Sequence, residues 1–599
     1  MFQSFHETAD PSQGPDRLSL LRAQLRHEGL AGFLVPRSDA HQGEYVAPRD
    51  ARLSWLTGFT GSAGFCAVLL DVAGVFIDGR YRTQVKAQVD LAHFTPVPWP
   101  ETRLADWLRQ NMTGGVVGFD PWLHTAEEIE DLTRDLDGSD IALRPCTNMV
   151  DRVWPDQPAP PVGPISLYPD DLAGDTHAAK RARIAADLSK AGHEAAVLTL
   201  PDSIAWLLNI RGSDIPKNPV PHCFAILHDT GHVSLFVDTA KLDQPVRAHL
   251  GTDITIRPAA AFEAALRSLS GPVRVDRGSA PLQVKLELEE ADVPIAWAQD
   301  PCILPKACKS AAEIAATKAA HLTDAAAMCE FLCWFDAQPP GSITEIDVVK
   351  ALESFRRATN ALLDISFDTI AGTGPNGAVI HYRVTESTNC MLEDGQLIVV
   401  DSGGQYLNGT TDITRTLPIG QVGQAEKACF TRVLQGMIGI SRLRFPVGLA
   451  GRDLDAIARY PLWLAGLDYN HGTGHGVGVY LCVHEGPQRL SRLSTVPLKP
   501  GMILSNEPGY YREGAFGIRI ENLIVVQDAP ELADADDRPM FSFETLTWVP
   551  IDRRLIDKTL LSAAEIDWVN AYHVACRDKI GARLGAEARL WLHKATQPL

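Results

Sequence analysis

The chain has no Cys-x-x-Cys pair, and its 11 cysteines, an odd number, are scattered along 599 residues. Neither a disulfide framework nor a structural zinc site is expected. Cys329 and Cys333, four apart on an apolar helical run, read as buried reduced thiols. No basic run or aromatic-basic stripe offsets a formal net charge of −19, which opposes binding to phosphate backbones. Nucleic acid is not an expected partner. No segment approaches about 18 uninterrupted apolar residues, and Met1-Phe2-Gln3-Ser4-Phe5-His6-Glu7 lacks a basic region leading into an apolar stretch. A cytoplasmic protein without membrane association is expected. His-Glu-x-x-His is also missing, so the helical zinc-protease motif is excluded.

What is present is ordinary globular composition, 45% hydrophobic and 22% charged. A length prior of roughly 100–200 residues per domain predicts three or more domains. The first boundary signal is the proline-rich stretch 155–164, where missing backbone donors hold a linker extended. Before it, residues 16–32 have helical apolar spacing, and 32–35, 64–70 and 75–77 read as strands. After it the pattern returns: Leu53-Ser54-Trp55-Leu56-Thr57-Gly58-Phe59-Thr60-Gly61-Ser62 aligns with Ile204-Ala205-Trp206-Leu207-Leu208-Asn209-Ile210-Arg211-Gly212-Ser213, with strand-like runs following at 223–227 and 233–237. Two related α/β domains in tandem are expected, at 1–160 and 161–305. A third domain, 306–599, opens with helices at 310–337 and 344–358, the second N-capped by Thr344, and ends with a helix near 563–584.

The candidate chemistry lies in that third domain. Two segments read as β-hairpins bearing paired acids: Asp401 ends an apolar run that turns on glycine and meets Asp412, and the run around Glu507 leads to Glu521. Between them lies His471-Gly472-Thr473-Gly474-His475, whose glycines place both histidines on a loop or strand. An ionised carboxylate in an apolar strand is costly unless it is paired or binds metal. Singly, each acid could be a turn or surface residue; together they call for a shared explanation. Two divalent cations about 3.5–4 Å apart need several carboxylates, and a histidine can complete one coordination sphere. Asp401, Asp412, His475, Glu507 and Glu521 make such a set.

The third domain resembles the pita-bread metallopeptidases, a family that includes methionine aminopeptidase, prolidase and aminopeptidase P, and carries its five ligand types in the family's order. Similarity to the long three-domain aminopeptidase P group extends over nearly the whole chain, through Trp206–Ile215, Asn470–His475, Val483-His484-Glu485-Gly486-Pro487, Glu507-Pro508-Gly509-Tyr510-Tyr511 and Phe543–Asp552. The implied architecture is α/β and α+β, with two creatinase-like N-terminal α/β domains before a pita-bread catalytic domain and its C-terminal extension. The implied activity is release of the first residue from peptides with proline in second position. By resemblance, Asp401 and Asp412 bind one metal, His475 the other, Asp412 and Glu521 bridge both, and Glu507 binds metal and handles the proton of the attacking water. An oxygen-rich set with one imidazole favours Mn²⁺, with Zn²⁺ and Co²⁺ as the other candidates.

The resemblance also places His381, His471 and His484 at substrate-contacting and transition-state-stabilising positions, although each histidine alone could be structural. Tyr511 and Arg519 fall where a carboxylate ligand or substrate is oriented. Arg80, in Asp78-Gly79-Arg80-Tyr81, either reaches the site or caps a strand end at the surface. A homodimer is implied. Three alternatives remain beside this reading: a prolidase with the same ligand set, which the duplicated N-terminal domains and the C-terminal extension disfavour; a metal-free creatinase-like hydrolase, disfavoured by the complete ligand set; and a non-catalytic pita-bread binding module, which would have lost ligands.

Overall fold

The computed structural model describes all residues 1–599. Its chain divides into two compact units, Thr8–Lys306 and a second made of Met1–Glu7 with Ala307–Leu599. The first seven residues join the latter through specific bonds. The Gln3 amide donates to the Thr369 carbonyl (3.2 Å) and accepts from the Thr369 N–H (2.8 Å), and Glu386 N–H donates to the Phe5 carbonyl (2.9 Å).

Within Thr8–Lys306 the duplication expected from the repeated Trp, Gly and Ser is visible in topology. One six-stranded sheet runs Thr95–Pro98, Ala73–Ile77, Phe65–Leu69, Gly32–Pro36, Gly115–Phe119, Ile141–Pro145; the other runs Ile254–Arg257, Val233–Phe236, Phe224–His228, Ala195–Leu198, Val273–Val275, Ile295–Trp297. Both follow the same pattern of pairings: parallel, antiparallel, antiparallel, parallel, parallel. The repeated decapeptide forms the equivalent helices Arg52–Thr57 and Pro201–Leu208, each ended by a left-handed residue, Gly58 (φ 86°) and Asn209 (φ 49°). Glycine and asparagine are the residues that accept this conformation at little cost. The first helix is Gly14–His27, starting and ending earlier than its apolar spacing suggested. The 155–164 stretch forms neither helix nor strand.

The second unit opens with the 26-residue helix Ala311–Asp336 and then Glu345–Ala358. Reciprocal caps start them, Ser310 with Glu313 and Thr344 with Asp347, satisfying N–H groups that the first turn leaves free. Along the fully buried strand Leu397–Ser402, Ile398 and Val400 pack with Phe331 and Leu352 from these helices. Period-two alternation therefore sends Asp401 to the opposite face. This strand pairs with Ile370–Thr373 and Ile413–Pro418, while a second sheet runs Arg444–Pro446, Met540–Thr545, Asn522–Asp528, Ile503–Asn506, Gly474–Gly476, Glu485–Leu490. The C-terminal helix stops at Ile580 rather than near 584, and a further helix, Ala586–Ala595, follows. Cys329 is buried, but Cys333, which packs against the same core at its edge, is only partly so; all 11 cysteines are free.

Candidate active site

Only Asp401 lies inside a strand. Asp412 immediately precedes Ile413–Pro418, Glu507 immediately follows Ile503–Asn506, and Glu521 immediately precedes Asn522–Asp528. The expectation of four acids within strands is corrected accordingly. A carboxylate at a strand end can turn out of the pleat while its backbone still pairs, and here those pairings stitch the elements together: Glu521 N–H donates to Thr414 O (3.1 Å) and Glu507 N–H to Thr473 O (2.8 Å). The two acid pairs are also more elaborate than simple hairpins. Leu397–Ser402 pairs with Ile413–Pro418 around the inserted ribbon Gly404–Tyr406 and Gly409–Thr410, and Ile503–Asn506 pairs with Asn522–Asp528 around the separate hairpin Gly509–Arg512 and Phe516–Arg519.

The acids and His475 converge. His475 Nε2 lies 3.4 Å from both Asp412 Oδ2 and Glu507 Oε1, and donor atoms of Asp412, His475 and Glu521 all fall within 4.8 Å of one another. The His475 Nδ1–H donates to the Gly476 carbonyl (2.9 Å), which leaves the Nε2 lone pair toward the carboxylates. Asp401, Asp412 and Glu521 are 7%, 3% and 1% exposed, yet Asp401 Oδ1, Asp412 Oδ1 and Glu521 Oε1 have no hydrogen-bond partner. Burial, then the charges of Asp401 and Glu507, push the Asp412 carboxyl well above its ordinary range; burial, then Asp412, do the same to Glu521. Glu507 is raised by burial and partly restored by His475. Buried carboxylates that repel one another and hold open lone pairs fit divalent cations, which would supply the missing charge and the missing partners. His475 sits on the short strand Gly474–Gly476 and His471 in the loop before it, as their glycine neighbours predicted.

A second layer fixes the first. Arg519 is 2% exposed; its Nη2 reaches Asp401 Oδ2 at 2.5 Å, its Nη1 donates to the Tyr511 hydroxyl at 2.6 Å, and its Nε donates to Thr414 Oγ1 at 3.2 Å. His471 Nδ1–H donates to the Gly472 carbonyl (2.7 Å), so its Nε2 accepts from the Tyr511 hydroxyl (2.9 Å). Burial pushes the Tyr511 phenol up to about 12 despite Arg519, keeping it a donor. The ring of His484 stands edge-on to His475, centroids 4.3 Å apart. His381 follows Ile380, whose carbonyl accepts from Arg519 Nη1 (3.4 Å). Arg80 belongs to the Thr8–Lys306 unit, where it follows the strand Ala73–Ile77 and is clamped by Asp78 (2.7 Å).

Several supports escaped the sequence reading. The Thr414 hydroxyl donates to Glu521 Oε2 (2.8 Å), and the Ser505 hydroxyl donates to Glu507 Oε1 (3.1 Å). Each is two residues from an acid, so the same-face rule for strands was the available signal. Asp455 and Arg459, four apart on the helix Gly451–Trp463, form a buried pair (2.7 Å). From there Arg459 Nη2 donates to the His471 carbonyl (2.6 Å), Nη1 donates to the Tyr469 carbonyl (2.7 Å), and Asp455 accepts from Thr473 Oγ1 (2.6 Å). Arg459→Met should therefore cost about 3–5 kcal/mol by leaving the buried Asp455 with only the Thr473 hydroxyl and the more distant Arg492 (3.8 Å), and should loosen the histidine loop. Chemical denaturation with unfolding followed in the second unit checks this; a loss below about 1 kcal/mol would mean that the pair does not hold the loop.

Known proteins match this arrangement throughout its length. The model of metallopeptidase family M24 matches residues 315–528, and that for the C-terminal region of peptidase M24 matches 539–599. Creatinase/prolidase N-terminal domain models match 17–153 and 156–313. A probable Xaa-Pro aminopeptidase P from Aspergillus fumigatus is 39% identical over 617 residues, covering 97% of this chain and 92% of the relative. One from Coccidioides posadasii is 39% identical over 627 residues, covering 98% and 100%. The crystal structure of an X-prolyl aminopeptidase from Caenorhabditis elegans, described as a cytosolic enzyme with a di-nuclear active site, superposes with a TM-score of 0.93 at 31% identity, covering 98% of this chain and 100% of that one.

Proposed function

Because the chain belongs to metallopeptidase family M24, we propose that it is a two-metal aminopeptidase releasing the first residue of peptides whose second residue is proline. The observation that carries this reading is the cluster of buried, unpartnered carboxylate oxygens on Asp401, Asp412 and Glu521 around His475 and Glu507. Those five residues would hold two divalent ions. Mn²⁺ is our first choice for a donor set of carboxylates and one imidazole, ahead of Zn²⁺ and Co²⁺. Bound ions of this kind acidify a water and polarise a carbonyl.

Glu507, steadied by Ser505, would take a proton from the attacking water and return it to the leaving proline nitrogen. Arg519 pins Asp401 and, through Tyr511, His471. His381 and His484 are assigned to substrate and to charge developing on the scissile bond, and Arg80 to substrate on resemblance alone. An Xaa-Pro bond is a tertiary amide with no N–H and a locked ring, so an enzyme that reads neither an N–H nor an extended strand there can use it. We place the protein in the cytoplasm, as the nematode relative's description and the free cysteines favour, and expect a homodimer, which analytical ultracentrifugation tests.

Four peptides test the reading in the presence of Mn²⁺: Arg-Pro-Pro, Arg-Ala-Pro, N-acetyl-Arg-Pro-Pro and Ala-Pro. Rapid cleavage of the first alone is expected. Preference for the dipeptide would make the enzyme a prolidase, and equal cleavage of the alanine peptide would remove proline from the account.

A further inference from the structure

A second cluster of metal-binding residue types, made of residues other than those proposed for hydrolysis, lies in the Thr8–Lys306 unit. Donor atoms of Asp39, Asp50 and His222 fall within 4.8 Å of one another. Asp39 and Asp50 come from the segment between the strand Gly32–Pro36 and the helix Arg52–Thr57 in the first α/β half; His222 stands two residues before the strand Phe224–His228 in the second.

Their surroundings fix the donors in place. Asp39 is 2% exposed, and its Oδ1 accepts the N–H groups of His41 (2.9 Å) and Gly43 (3.2 Å). That turns the buried Oδ2 toward His222 Nε2 at 3.3 Å, with no other partner. Asp50, 9% exposed, is steadied by Arg52 at 3.0 Å. His41 donates Nδ1–H to the Thr199 carbonyl (3.0 Å) and lies against the His222 ring, centroids 4.4 Å apart.

The neighbouring cations are already engaged or stand at a distance. Arg52 is divided between Asp50 and Asp151, to which it gives two bonds of 2.6 and 2.9 Å. Arg49 stands 3.9 Å from Asp50, and Lys241 is committed to Asp214 at 2.7 Å. Asp39 faces the imidazoles of His41 and His222, with the buried Arg37 guanidinium also within electrostatic range. A buried carboxylate oxygen facing only an imidazole, a second carboxylate held by an arginine and that imidazole nitrogen make the oxygen-and-nitrogen set that divalent ions of the zinc and manganese type accept, with water free to fill remaining positions.

We propose that Asp39, Asp50 and His222 form a separate divalent-cation site that ties the two α/β halves of the N-terminal unit together. The alternative is a plain imidazole-carboxylate pair that needs no ion.

The test is differential, so it stands apart from the reading of the catalytic residues. Full-length protein stripped with chelator is dialysed to equilibrium against Zn²⁺ and its metal counted by elemental analysis, for wild type, His222→Phe and Asp39→Asn. Phenylalanine keeps a ring against His41 but offers no donor, and Asp39→Asn provides a second route to the same answer if His222→Phe does not fold. Each variant is expected to hold one ion per chain fewer than wild type, to keep its peptide hydrolysis once loaded, and to lose part of the Zn²⁺-dependent rise in unfolding temperature. Equal metal content in wild type and a folded variant would overturn the proposal in favour of the metal-free pair.

Discussion

Asp412→Ala should leave the protein with little bound metal and with peptide hydrolysis lowered by at least about 10³ in kcat/KM, some 4 kcal/mol of transition-state stabilisation. The proposed bridging position is the reason. Asp412 shares its space with His475 and Glu521, and it is 3% exposed, so no water replaces a lost carboxylate cheaply. Two cations poorly neutralised should both leave, rather than one of them. Stability should move the opposite way. In metal-free protein the Asp412 carboxyl is pushed up by burial and by Asp401 and Glu507, so removing it relieves repulsion, and the metal-free variant should unfold no earlier than metal-free wild type. Loss of activity with unchanged or improved stability separates a ligand from a scaffold residue. Elemental analysis showing full metal occupancy with wild-type activity in Asp412→Ala would sink the assignment.

Why some of this site was legible in the sequence and some was not follows from the range of the interactions. Asp401 stood out because an acid closing a run of Leu397, Ile398, Val399 and Val400 is energetically anomalous by itself, and a second pair with a glycine-flanked histidine between them made the anomaly collective. The caps on Ser310 and Thr344 were readable because their partners lie three residues away. The duplication was readable because Trp55, Gly61 and Ser62 recur in register as Trp206, Gly212 and Ser213, whereas the shared left-handed cap at Gly58 and Asn209, two different residues, became visible only in the backbone. By contrast, Arg519 finds Asp401 across 118 positions and Arg415 donates to the Glu521 carbonyl across 106, and no local pattern encodes a partner at that distance. The hairpin inserted between Glu507 and Glu521 was hidden for a different reason: Phe516–Arg519 is as apolar as a strand of the larger sheet, and only pairing distinguishes them. Thr414 and Ser505 were passed over because hydroxyls are common in strands, and what marks these two is the acid they hold.

His471→Ala should lower kcat by about 10²–10³, the usual consequence of removing one well-placed donor or the group that sets it, while leaving metal content at the wild-type level. The geometry gives this prediction more shape than the sequence could. Both ring nitrogens of His471 are engaged, one giving its proton to the Gly472 carbonyl and the other receiving the Tyr511 hydroxyl proton. Tyr511 in turn receives a hydrogen bond from Arg519, which also holds Asp401. Removing the imidazole therefore frees the Tyr511 hydroxyl as well as deleting the histidine. Tyr511→Phe breaks the same link from the other side. If the two residues act as one unit, the double variant should be little worse than His471→Ala, with an interaction energy of roughly 1–3 kcal/mol from the cycle. If each touches substrate independently, the losses should add. Measuring kcat and KM for the four proteins on Arg-Pro-Pro, with metal content determined alongside, distinguishes these outcomes. A loss below about threefold in His471→Ala with its metal retained would reduce this histidine to a structural element of its loop.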